Sequence, residues 1–229
     1  MKVLWVLFIV YMALMVLCSV LAALRFRVLD RSARIIVLLV FWSLFTEVTA
    51  FIVIRHQAQP NNHQVYNISC LVEWVLLCVY FNYACPSLRR RHLGWLLALL
   101  GLGFGLINLV YIQDDTTMAS NFLFFECAGI LTLSSYALYE WLIVDDDDEK
   151  EHAVAQVQLR NNIHFWLPVI FIFNQTATLW SWSAFDAYMH AGQHLSQLLQ
   201  QLLLLTGIIT YLFLCWLLFR YPKMKASYV

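Results

Sequence analysis

The sequence predicts an all-α fold: a polytopic membrane protein built as a seven-transmembrane-helix bundle, with its N-terminus outside the cytoplasm and its C-terminus cytoplasmic. Three observations predict it. Of 229 residues, 62% are hydrophobic and 12% charged, where a soluble domain carries about 45–50% apolar and about 25% charged residues. Seven apolar stretches approach the roughly 20 residues that a membrane helix needs. The positive charges fall on alternate linkers, the pattern by which cytoplasmic loops are recognised.

The stretches are 3–24, 35–54, 66–84, 93–112, 121–144, 163–185 and 194–219. The first has features of a signal peptide, since Lys2 precedes the apolar run and Ala22-Ala23 resembles a cleavage site. That run exceeds the 7–15 residues of a signal-peptide core, and Arg25, Arg27, Arg31 and Arg34 follow it, so it reads as the first span. Arg89, Arg90 and Arg91 follow the third span, Lys150 and Arg160 the fifth, and Arg220, Lys223 and Lys225 the seventh. Only Lys2 and Arg55 fall on the opposite side, which puts the N-terminus outside. Trp5, Trp95, Trp141, Trp166, Trp180, Trp182 and Trp216 lie near predicted span ends, as interfacial aromatics do; Trp42 and Trp74 fit plain packing better. The linkers are short, and a single domain, 1–229, is expected.

The acidic run Asp145 to Asp148, with Glu149 and Glu151, reads as a solvated helix end, because a helix C-terminus disfavours anions. Lysines and arginines balance the acids at 14 each, so no basic surplus points to nucleic acid. The six cysteines all lie in or beside apolar stretches without a CxxC pair and read as small buried hydrophobes.

Polar residues inside the spans narrow the function. Each intramembrane carboxylate costs about 2.5–3.5 kcal/mol at the bilayer centre on insertion scales, and Glu47, Glu73 and Glu126 sit in the second, third and fifth spans. At 1.5 Å per residue, Glu47 lies about 18 Å from its inner end and Glu73 about 10 Å below the outer surface; Glu126 is at a similar depth. All three are expected in the outer half, facing the protein interior or a wet cavity. Asn67, Asn108, Asn174, Gln175, His194 and Gln197 fall in the same layer. No Lys or Arg lies within a span, and Arg55 is the nearest cation. Protonated carboxyls, hydrated carboxylates in an open pocket, or a bound metal or cationic ligand are the three solutions.

His190-x-x-x-His194 places two imidazoles one turn apart, a spacing that suits zinc. With the seven-span topology it loosely resembles the membrane hydrolases related to alkaline ceramidases. That resemblance implies a metal-dependent hydrolase, but the SxxxH of those enzymes reads here Ser43-x-x-x-Glu47 and Ser69-x-x-x-Glu73. Gly101, Gly103 and Gly105 suit close helix packing better than phosphate binding. The last span has no lysine for a retinal Schiff base. The first three spans do not match the last three, as a parallel-repeat transporter would require.

Thr46-Glu47, Asn61-Asn62-His63, Tyr66-Asn67, Glu73-Trp74 and Phe165-Trp166 resemble an uncharacterised family of small seven-span bacterial inner-membrane proteins. The resemblance implies an inner (plasma) membrane location and places Glu47, Asn67 and Glu73 among the family's polar positions, without implying an activity. The leading expectation is a ligand-binding membrane protein of sensory or transport type. Its outward pocket is lined by Glu47, Glu73, Glu126, Asn67, Asn174, Gln175, His194 and Gln197. No cofactor is expected. Its partners would be the lipid bilayer, a small molecule or cation, and a separate cytoplasmic or membrane signalling partner. The alternatives are a zinc-dependent hydrolase using His190 and His194, and a structural subunit whose polar layer only joins helices. Whether the chain is an enzyme stays open.

Overall fold

A computed structural model describes the backbone of residues 2–56, 62–113, 119–142, 162–188 and 193–225. Every regular element among them is helical: α1 (Lys2–Arg25), α2 (Arg31–His56), α3 (His63–Ala84), α4 (Pro86–Arg90), α5 (Leu93–Ile107), α6 (Ser120–Leu142), α7 (Ile163–Tyr188) and α8 (Gln193–Lys225). Six stretches are long and apolar enough to cross a membrane: α1, α2, α3, α5 with its π-helical extension, α6 and α8. The chain is therefore a multi-pass membrane protein. The remaining long helix, α7, has 26 residues, about 39 Å at the helical rise. Pro168, Asn174, Gln175, Thr176 and Thr178 dilute its apolar character.

Several boundaries differ from those read in the sequence, for local reasons. α2 begins four residues early, at Arg31, because Asp30 caps it. The Asp30 carboxylate accepts from the Ala33 N–H at 3.1 Å and the Ser32 hydroxyl at 2.7 Å, satisfying donors that a helix start leaves open. The one-turn helix α4 was not foreseen. Pro86 opens it, where a missing N–H does no harm. α5 ends in a π turn, Asn108–Ile112, with the Gln113 N–H reaching back to the Asn108 carbonyl at 2.9 Å.

The chain forms two compact units, Leu29–Ile130 and Met1–Val28 with Leu131–Val229; α6 belongs to both. In the first unit α3 is central, and its side chains set the directions of its neighbours. Thr46 and Ser69 hydroxyls are 2.9 Å apart, while Tyr66 meets Glu47, so α2 and α3 are antiparallel. Gly94 meets Asn82 and Gly101 meets Trp74, which makes α5 antiparallel to α3. Asn67 meets Ala119 and Trp74 meets Gly129, so α6 runs parallel to α3. The Trp74 indole fills the space beside Gly101 and Gly129, and its N–H donates to the Leu97 carbonyl at 3.1 Å. Small residues let membrane helices approach this closely.

In the second unit α1 and α8 pack along their length. Tyr11 meets Gly207 and Tyr211, and farther along both helices Cys18 meets Cys215. The shared order means that α1 and α8 run parallel. α7 is antiparallel to α8: Trp166 stacks edge-on with Phe213, and the Thr210 hydroxyl donates to Asn174 Oδ1 at 3.4 Å.

Candidate functional site

The carboxylates predicted from the sequence gather on one face of α3. Tyr66, Cys70 and Glu73 are spaced four and three apart, so their side chains stack along a single helical stripe. α2 brings Glu47 to one end of it, where the Tyr66 hydroxyl donates to Glu47 Oε2 at 3.2 Å. α6 brings Glu126 to the other. The Cys70 thiol is within hydrogen-bonding reach of the Glu126 carboxyl, and Glu73 lies within electrostatic reach of it. Cys127 feels both carboxyls and Cys78 feels Glu126. Glu126 is only 2% exposed, and its Oε1 has no hydrogen-bond partner among the described residues. Leaving a buried polar atom unpaired costs about 1–3 kcal/mol.

Neither Glu73 nor Glu126 makes an ion pair among the described residues. Arg55 lies over the Phe51 ring, 4.6 Å from its centroid. Glu126 Oε1 is also the start of a pattern. Ser134 Oγ and Trp141 Nε1 are also buried without hydrogen-bond partners among the described residues, and spacings of eight and seven keep all three on one side of α6. Ser134 is unusual in this chain, since Ser19, Ser43, Thr178 and Thr206 each donate to the carbonyl four residues back.

Other predicted residues have different surroundings. Asn67 is buried, and its Oδ1 accepts from the Ala119 N–H at 2.8 Å, which fixes the start of α6. Asn108 donates to Gln113 Oε1 at 2.8 Å, and Gln113 donates to Ser120 at 2.9 Å, tying the π turn to α6. Asn174, Gln175 and Gln197 lie in the other unit, where Gln175 is buried. His190 lies outside the described residues, as does the side chain of His194, so the zinc reading falls there. Among the described residues no three His, Cys, Asp or Glu side chains are placed to hold a metal ion.

Sequence reasoning missed Cys70 and Cys127, which it read only as apolar filler. The signal for Cys70 was its place three residues before Glu73; the direction of α6 toward it was not in the sequence. Comparisons with protein-family models, with curated proteins and with solved structures find no match to this chain.

Proposed function

We propose that this chain is an integral membrane ligand-binding protein of sensory or transport type, whose site is the carboxyl pair Glu73 and Glu126 with Cys70 beside them. The observation that carries the reading is the buried, unpaired Oε1 of Glu126 beside a second carboxyl, in spans without lysine or arginine. Intramembrane carboxyls are costly and are characteristic of ion and substrate pathways. A small cation or hydrogen-bond donor seated between the two would supply the missing partner.

The topology belongs to the same proposal: seven spans in a plasma membrane, N-terminus outside and C-terminus cytoplasmic. Parallel packing of α1 and α8 supports it. Consecutive spans alternate in direction, so two parallel spans at the ends of a series require an odd number. With α7 crossing, the count is seven and the parity fits; with six, α8 would oppose α1. The positive linkers then put the Glu73–Glu126 pair in the outer half.

Thermal unfolding of the purified protein tests the site. Sodium, potassium, methylammonium and guanidinium chlorides are compared at constant ionic strength with N-methylglucamine chloride, a cation too bulky to enter. A cation at a hundred times its Kd stabilises by about 2.7 kcal/mol, a rise of roughly 5–10 °C at this chain length. At least one cation is expected to raise the wild-type midpoint by that amount and to leave Glu73→Gln and Glu126→Gln unmoved. Identical midpoints in all salts, with both variants folded, would make the pair a helix-joining device.

A further inference from the structure

The turn from α3 to α5 is built more firmly than a linker needs to be. Leu88 is buried at the middle of α4. The Asn82 side chain, itself buried, accepts from the Gly94 N–H at 3.2 Å, and a Cβ on Gly94 would collide with Asn82 and the Cys78 carbonyl. His92 closes the turn with φ of 51°, a left-handed conformation that non-glycine residues adopt at an energetic cost. The turn this clamp presents is Arg89-Arg90-Arg91-His92, and all four side chains are exposed.

The neighbouring start of α2 adds to it. Asp30 lies within electrostatic reach of Tyr80, as Cys85 does, so exposed Arg31 and Arg34 belong to the same end of the unit. Asp30, the acid at this end among the described residues, is already engaged in capping α2. Arg31, Arg89, Arg90 and Arg91 make no ion pair among the described residues. Tyr83 and Trp95 flank the turn, 37% and 44% exposed, and exposed aromatics of this kind mark the membrane–water interface. The arginines therefore stand at headgroup level.

We infer that the Arg89–Arg91 turn is a binding site for the phosphate of an anionic phospholipid headgroup. Guanidinium forks pair two N–H groups with phosphate oxygens, and a fixed turn loses little freedom when they do so. The clamp of Asn82, Gly94 and Leu88 explains why these arginines are held, where charge-based orientation alone would need only their presence.

Native mass spectrometry of the full chain in detergent tests this, titrating dioleoyl phosphatidylglycerol against dioleoyl phosphatidylcholine. Wild type should prefer the anionic lipid. The R89Q/R90Q/R91Q variant should bind it about a hundredfold more weakly, at about 1 kcal/mol per surface arginine, while the charge-matched R25Q/R27Q/R220Q variant changes little. The R89K/R90K/R91K variant should fall between wild type and the glutamine variant. Asn82→Ala, which loosens the turn and keeps every charge, should weaken binding severalfold and serves as the test if the triple variant fails to fold. Equal losses in the two triple variants would overturn the inference in favour of diffuse charge. Displacement of the lipid by millimolar inorganic phosphate would overturn it in favour of a soluble anion. So would a lipid preference seen only after Asp145–Asp148 are changed to Asn, which would make the chain's own acidic run the partner.

Discussion

Glu126 shows how a single residue can be placed against its own stability. Its carboxyl is buried on α6, reaches Cys70, and leaves Oε1 unpaired. Methionine has nearly the same volume and no such need. Glu126→Met is expected to raise the stability of the ligand-free protein by about 1–3 kcal/mol and to abolish cation-dependent stabilisation, both read from unfolding midpoints with and without salt. A merely structural Glu126 would instead lose stability on this change. His92 supports a second prediction at this scale. Its left-handed backbone favours glycine, so His92→Val should be less stable than His92→Gly by about 1–2 kcal/mol, measured by denaturant unfolding in the same detergent.

At the scale of the helices, close approach is decided by individual glycines of α5. Trp74 occupies the space beside Gly101, and Leu71 and Phe122 the space beside Gly105, whereas nothing stands near Gly103. Gly101→Ala should destabilise by about 1–3 kcal/mol through overpacking, and Gly103→Ala should be neutral, as judged by thermal unfolding. The sequence showed the three glycines as one motif; only the azimuth of α3 separates them. The long helices were legible because a run of apolar residues is visible without knowing its neighbours. The start of α2, the one-turn α4 and the π turn at Asn108 were not, since each depends on local hydrogen bonds among polar residues. Asn67 illustrates the same limit: that its Oδ1 accepts from the Ala119 N–H, just ahead of α6, is a contact between distant segments that the sequence does not show.

For the molecule as a whole, residue type found the carboxyls but not their grouping. Glu47, Glu73 and Glu126 stood out because no cation accompanies them in the spans; that Tyr66 takes one and Cys70 another required the faces of three helices. The proposed topology rests on a similar combination, positive linkers from the sequence and the parallel register of α1 and α8 from the fold. Reporter fusions should place the N-terminus outside and the C-terminus in the cytoplasm; both termini on one side would remove α7 from the membrane. The most direct test of the central claim is an infrared difference spectrum, recorded as sodium or methylammonium replaces N-methylglucamine over the reconstituted protein. Carboxyl bands that change in wild type and vanish in Glu73→Gln and Glu126→Gln are the predicted result. A spectrum without carboxyl changes, or one that persists in both variants, would contradict a ligand site at this pair.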